Sequence, residues 1–156
     1  MANYSRRQLL RGKHVAIRPP WAQEEEAFIN TCTRCDACIS HCPEKIIIKG
    51  QGGFPEVNFS LGECTFCEAC LENCPSSALV KQKEDSQAWA LTLEIGEKCL
   101  PKQGVVCITC REFCEYQVFT FPPQQGGVTP PQVATDKCIG CGACISVCPT
   151  QAIKLT

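Results

Sequence analysis

Cysteine constrains this chain more than any other residue type, since 16 of its 156 residues are cysteines. Leu, Ile, Val and Phe together supply only 36 positions, so a half-length unit could bury only a small apolar core and would need extra cross-links. Twelve of the cysteines fall into three runs of identical spacing, C-x2-C-x2-C-x3-C, each followed by proline. The runs are Cys32, Cys35, Cys38, Cys42; Cys64, Cys67, Cys70, Cys74; and Cys138, Cys141, Cys144, Cys148.

The spacing separates three possible roles for these thiols. Disulfides need an oxidising compartment, and the chain shows no complete signal peptide that would take it there. Zinc sites also use C-x2-C pairs, but one tetrahedral ion has no use for a regular third cysteine and a distant fourth. The runs match the bacterial ferredoxin pattern, in which the fourth cysteine binds the other cluster of a pair. The sequence therefore predicts 4Fe-4S clusters.

A fourth cysteine group is irregular. Seven residues separate its first two members, Cys99 and Cys107, and Glu115 stands in place of the proline after Cys114. The chain contains an internal repeat: the second run recurs 74 residues later, and the last three cysteines of the first run recur 72 residues later. Only the first cysteine is displaced, by five residues. We interpret the chain as a duplicated unit with an insertion in one ligand loop.

With exchanged fourth ligands, the duplicated unit predicts four 4Fe-4S clusters, in sites that we name A to D. Site A is Cys32, Cys35, Cys38 and Cys74; site B is Cys64, Cys67, Cys70 and Cys42; site C is Cys99, Cys107, Cys110 and Cys148; site D is Cys138, Cys141, Cys144 and Cys114. The long loop and the missing proline make site C the one expected to be most labile. Binding of only three clusters is the alternative.

The predicted fold class is α+β, with two tandem bacterial two-cluster (4Fe-4S) ferredoxin-like units that are small and cluster-stabilised. We expect residues 1–27 to be a basic N-terminal tail, 28–80 the first unit, 81–87 a charged linker and 88–156 the second unit. Trp89, Leu91, Leu93 and Ile95 alternate as on a half-buried strand, consistent with a βαββαβ order. Between the third and fourth cysteine of each run we expect one helical turn, ended by the proline.

Motifs for catalysis are missing from the sequence. It has no strand-linked GxGxxG, no P-loop and no GxSxG, and its two histidines, His14 and His41, have no metal-binding or acid–base companion. Asp36 lies in a ligand loop, but Cys35 already fills the iron position, so we expect Asp36 to be a surface residue or a residue that contacts a partner. The chain is therefore predicted to be an electron-transfer protein without a catalytic residue.

Charge and hydropathy indicate the kind of partner. The first 20 residues carry five basic and no acidic side chains, while the remainder carries ten basic and 16 acidic ones. Each thiolate-bound cluster adds further negative charge, so the body should associate with a basic protein surface. We expect no nucleic-acid partner. No apolar run reaches the roughly 18 residues that span a membrane, so an integral membrane protein is not expected.

Several stretches resemble the NapF family of ferredoxin-type accessory proteins of the bacterial periplasmic nitrate reductase system. They are IRPPW at 17–21, CTRCDAC at 32–38, GGFPEVNF at 52–59 and the long-gapped third group. The resemblance covers essentially the whole chain and implies that all sixteen cysteines are cluster ligands. It also implies a cytoplasmic protein whose partner is the cytoplasmic precursor of the nitrate reductase catalytic subunit. The protein would help that subunit mature before twin-arginine export.

The segment SRRQLLR, residues 5–11, resembles the front of a twin-arginine signal but lacks the apolar run that must follow. It is either a basic tail that matches by chance or descent, or a docking element for the maturation machinery or the partner. The missing apolar segment predicts residence in the cytoplasm. Two other functions stay open: an electron-transfer subunit of a respiratory oxidoreductase, and a scaffold whose clusters only hold the fold.

Overall fold

The computed structural model describes residues 16–82, 87–124 and 127–156. The SRRQLLR segment and His14 lie outside the described residues, as does most of the predicted linker. The described chain combines short helices with two-stranded antiparallel sheets, which confirms a mixed α+β structure. Within these ranges, no helix has the length and apolar character needed to cross a membrane.

The N-terminal half, residues 16–82, contains a central hairpin between helical turns. Its elements are α1 (Glu25–Thr31), α2 (Ala37–Ser40), β1 (Ile47–Lys49), a 3-10 turn (Gln51–Gly53), β2 (Pro55–Val57) and α3 (Ala69–Glu72). Strands β1 and β2 are antiparallel, with Ile47 opposite Val57. The 3-10 turn between them contains two positive φ angles, 65° at Gly52 and 79° at Gly53, which glycine adopts without steric cost.

The C-terminal half, residues 87–156, has the order strand, helix, strand, strand, helix, strand. Its elements are β3 (Leu93–Ile95), a 3-10 turn (Leu100–Gln103), α4 (Thr109–Glu112), β4 (Phe119–Thr120), β5 (Gln132–Val133), a 3-10 turn (Thr135–Lys137), α5 (Ala143–Ser146) and β6 (Ile153–Leu155). Strand β3 pairs antiparallel with β6, and β4 with β5. The predicted alternation from Trp89 to Ile95 is confirmed as an alternation of burial, although the paired strand includes only its last three residues.

The N-terminal segment packs on the body further upstream than the sequence boundary at residue 28, which falls inside α1. The carbonyl of Ile17 accepts a 2.7 Å hydrogen bond from the amide of Val57, and Ala22 forms an antiparallel bridge with Leu79. Residues around Ala22 thus supply the N-terminal half with the edge pairing that β3 and β6 give the other half. The physical reason is burial, because Pro19 and Pro20 are among the most buried side chains.

Arg18 fastens this segment through polar and aromatic contacts. Its Nε and Nη2 donate to the two carboxylate oxygens of Glu25 at 2.9 and 2.6 Å, and Nη1 donates to the carbonyl of Pro55 at 3.2 Å. The guanidinium also lies 5.2 Å from the ring centroid of Phe28. The carbonyl of Arg18 accepts a 2.9 Å hydrogen bond from Nε1 of Trp89, which connects the segment to the C-terminal half.

The two halves contact each other through aromatic rings and backbone hydrogen bonds. The Trp89 ring packs edge-on against Phe59 and Phe66, at centroid distances of 5.5 and 5.8 Å. Phe59 also lies directly on Gly142, so closely that a Cβ at that glycine would be 2.0 Å from Phe59 Cδ1. The amide of Cys64 donates a 2.8 Å hydrogen bond to the carbonyl of Cys141. This contact joins a ligand loop of each half.

Candidate metal centres

Four cavities in the described chain are each lined by one of the cysteine sets grouped from the sequence. With the adjoining solvent-open space included, the empty volume is about 330 Å³ at site A and about 320, 370 and 340 Å³ at sites B, C and D. In every set, three cysteines come from one loop and the fourth from the other cysteine group of the same half. The structure thus brings the sixteen thiols together in these four sets, and their role as cluster ligands stays a prediction.

One helical turn carries the third cysteine of each group and ends before the fourth. These turns are α2, α3, α4 and α5, which confirms the predicted helical turn. In each case the amide of the fourth cysteine closes the turn by donating to a carbonyl three residues earlier. For example, Cys42 donates to the carbonyl of Ile39 at 3.4 Å, and Cys114 donates to that of Arg111 at 3.3 Å. Because Cys114 precedes glutamate and not proline, the proline is unnecessary for ending the turn.

A left-handed residue follows the fourth cysteine at the same offset in all four groups. Lys45, Ser77, Gln117 and Gln151 have φ angles of 53°, 55°, 49° and 51°. Non-glycine residues adopt this conformation at a steric cost, and such strain concentrates at functional sites. The turn brings later amides to the cysteine sulfur: Val118 donates to Cys114 Sγ at 3.5 Å and Ala152 to Cys148 Sγ at 3.3 Å.

The irregular loop of site C reaches the cavity by a different path. After Cys99 the chain makes the 3-10 turn, and the amide of Val105 donates to the carbonyl of Leu100 at 3.0 Å. Gly104, with φ of 80°, reverses the chain direction. The inserted residues project outward, since Val106 is 77% exposed. The insertion therefore leaves the cysteines in place and adds an exposed apolar tip beside site C.

Burial raises the pKa of some cysteine thiols in the cavities, whereas hydrogen bonding lowers the pKa of others. Burial, with neighbouring thiolates, raises the pKa of the third cysteines, to about 11 for Cys38 and Cys110 and about 12 for Cys70 and Cys144. Burial also acts to raise the pKa of Cys148, but nearby amides and the Thr150 hydroxyl outweigh it, so this pKa is lowered. A fourth cysteine such as Cys148 thus sits among donors that stabilise a thiolate, the form that binds iron.

The donor chemistry fits a polynuclear iron–sulfur group. Each cavity offers four sulfur donors, and thiolate-only sets select zinc or Fe–S clusters. Across the described ranges, no three Cys, His, Asp or Glu side chains converge tightly enough to hold a single ion. Four thiols around one cavity are the ligand set of a 4Fe-4S cluster.

Two residues considered from the sequence lie beside the sites in surface roles. Asp36, at site A, pairs with Lys49 at 2.5 Å between Oδ2 and Nζ, and His41 is exposed. Sequence reasoning missed the part of Trp21, which lines the site B cavity although it precedes the first cysteine by 11 residues. The IRPPW stretch that contains it carries a family resemblance but no cysteine spacing that would place it at a site.

Comparisons with known proteins agree with the chemistry of the cavities. Residues 31–78 match the 4Fe-4S dicluster domain family, and residues 131–154 match the 4Fe-4S binding domain family. The chain is 43% identical to the ferredoxin-type protein NapF of Haemophilus influenzae, over 98% of this chain and 94% of the relative. It is also 43% identical to NapF of Escherichia coli K12, over 96% and 92%, and 32% identical to the ferredoxin-type protein NapG of that strain, over 95% and 73%.

Proposed function

Because this chain belongs to the NapF family of ferredoxin-type proteins, we propose that it is a 4Fe-4S protein that assists maturation of the periplasmic nitrate reductase catalytic subunit. It would act on the cytoplasmic precursor before twin-arginine export, by electron transfer or by cluster assembly. The observation that carries the proposal is the grouping of sixteen cysteines around four sulfur-lined cavities. In this proposal sites A to D each hold one cluster.

The order of the sites supports electron transfer along the molecule. Sites A and B share the N-terminal half, since α2 carries Cys38 of site A and ends just before Cys42 of site B. Sites B and D adjoin across the halves, where Cys64 donates its amide to Cys141 at 2.8 Å. Site C follows, because α5 carries Cys144 of site D and ends before Cys148 of site C. The sites therefore form one series, A–B–D–C, that an electron could follow from one end to the other.

Residence in the cytoplasm is part of the same proposal, and the SRRQLLR segment is its candidate docking element. The packing of Ile17 and of Pro19–Trp21 limits how that segment can be tested, because removing residues 1–20 would also remove a buried part of the fold. Deleting residues 1–15 leaves those contacts in place. Loss of precursor binding in this variant, with iron content unchanged, would support docking, and unchanged binding would exclude it.

The proposed function is tested with the loaded protein and the precursor of the catalytic subunit, produced without this protein. We expect the anaerobically purified protein to bind the precursor and to increase its content of iron–sulfur cluster, measured by electron paramagnetic resonance. The control is a double variant, Cys64→Ser with Cys138→Ser, which removes one ligand from site B and one from site D. This variant should not increase the cluster content of the precursor. A precursor that gains its cluster equally well with the control variant would contradict the proposal.

The second candidate is an electron-transfer subunit of a respiratory oxidoreductase, which the continuous series of sites would also serve. The two functions differ in the form of the partner that is bound. A stable stoichiometric complex with the mature enzyme would favour the electron-transfer subunit, whereas transient binding to the precursor alone would favour maturation.

A further inference from the structure

The indole N–H of Trp21 is buried without an acceptor. The residue is 7% exposed, and within the described ranges Nε1 has no hydrogen-bond partner. Burying a donor without an acceptor destabilises the folded state, so such a group in a folded protein needs an explanation. The second tryptophan provides the contrast, because Nε1 of Trp89 donates to the carbonyl of Arg18 at 2.9 Å.

The backbone holds Trp21 firmly in a conformation that a bulky residue rarely adopts. Its φ angle is 58°, and it follows the buried Pro20. The amide of Trp21 donates to the carbonyl of Ala88 at 2.9 Å, and its carbonyl accepts from the amide of Val80 at 2.8 Å. A strained residue fixed by contacts on both sides is a feature that proteins retain at functional sites.

The position of the ring identifies the missing acceptor. Trp21 lines the site B cavity beside Cys42, Cys64, Cys67 and Cys70. Glu68, one of two glutamates in the cavity wall, forms an ion pair with Lys81. The Lys81 ammonium lies 5.7 Å from the centroid of the Trp21 ring. Of the seven side chains in the cavity wall that can accept a hydrogen bond, four are these cysteines and the other three are Glu44, Glu68 and Thr65. The group that would fill site B brings four more sulfurs as sulfide.

We propose that Trp21 tunes the cluster of site B by donating its indole N–H to a sulfur of that cluster or of its ligands. The inference rests on the proposed binding of 4Fe-4S clusters. A reduced cluster carries one more negative charge than an oxidised one, so an N–H donor stabilises the reduced form more strongly. Hydrogen bonds to sulfur are one of the determinants of cluster potential. Trp21 therefore raises the reduction potential at site B.

The test compares Trp21→Phe with Trp89→Phe in the full-length, anaerobically loaded protein. Both changes remove an indole N–H and keep an aromatic ring. We expect Trp21→Phe to disfavour reduction of one cluster about tenfold, which for one electron is a potential lowered by about 59 mV. Trp89→Phe should leave the potentials unchanged although it loses the bond to Arg18. Unchanged potentials in Trp21→Phe, with iron content intact, would overturn the inference.

A measurement on the unmutated protein keeps the inference falsifiable if Trp21→Phe loads poorly. With the two indole groups isotopically labelled, one N–H resonance should show a large hyperfine shift on cluster loading and slow exchange with deuterium. Two unshifted resonances in a protein of full iron content would refute the hydrogen bond from Trp21 without contradicting the proposed cluster binding. Low iron content of the unmutated protein would instead count against cluster binding, and so against the proposed function itself.

Discussion

Replacing Gly142 by alanine perturbs the contact between the two halves at one defined point. The new Cβ would lie 2.0 Å from Cδ1 of Phe59, a distance that real Cβ atoms essentially never show. Phe59 is 4% exposed and packs on Trp89, so it cannot swing into solvent without breaking that contact. The backbone alone does not require glycine here, because Asp36 and Glu68 occupy the equivalent positions with φ angles of 61° and 60°.

A matched control separates the clash from the backbone strain. Gly104 has a φ of 80°, close to the 83° of Gly142, and a Cβ there would meet nothing within 4 Å. Alanine should cost about 1–2 kcal/mol of left-handed strain at either position. Overpacking adds about 1–3 kcal/mol at Gly142 alone. We therefore expect Gly142→Ala to lower the free energy of unfolding by about 1–3 kcal/mol more than Gly104→Ala.

The assay is anaerobic guanidinium unfolding of the loaded variants, followed through the visible absorbance of the clusters. Adding Phe59→Ala to Gly142→Ala should remove the clash, so the two effects should combine less than additively. Equal loss of stability in Gly142→Ala and Gly104→Ala, or strict additivity with Phe59→Ala, would refute the packing of the halves through this contact.

Three further expectations concern anchoring, pH and lability. Arg18→Lys keeps the charge but loses the bidentate contact with Glu25. We expect this variant to be destabilised by about 1–2 kcal/mol and to show faster amide hydrogen exchange in residues 16–24. Unchanged exchange in these residues would contradict the expectation. Burial raises the pKa of Cys70 and Cys144 to about 12, so cluster loading must release their protons. The amount of iron that the protein retains against a chelator should therefore fall as the pH drops from about 8 to about 6. Iron retention that does not change with pH would contradict this expectation. Cys99→Ser should abolish the fastest phase of iron loss to a chelator while about three quarters of the iron stays bound, whereas a persistent fast phase would show that site C is not the labile one.

The grouping of the cysteines could be predicted because it follows from local chemistry. Three thiols at fixed spacing belong to one loop, and the fourth lies one helical turn further, where the next cluster of the pair must be. The repeat groups the displaced Cys99 with Cys107 and Cys110, and the three residues line the same cavity, although the role of Cys99 as a ligand stays a prediction. The helical turns could be predicted from the same spacing, because the third and fourth cysteine of each group are separated by three residues, about one helical turn.

The contacts of the N-terminal segment could not be predicted in the same way. Pro19 and Pro20 exclude a helix, and the stretch has no alternation, so local sequence gives no sign that Trp21 packs between the halves. Its partners, Ala88 and Val80, lie about 60 residues away and are joined to it by backbone atoms, which leave no side-chain pattern. The contact between Phe59 and Gly142 is equally invisible, since it depends on tertiary packing alone.

Counting iron and sulfide in anaerobically purified full-length protein tests the central claim most directly. If sixteen cysteines hold four 4Fe-4S clusters, the protein should carry about sixteen irons and about sixteen sulfides per chain, and it should unfold when a chelator removes them. About eight irons would contradict the assignment of four sites. A colourless protein that stays folded without metal would contradict the whole account.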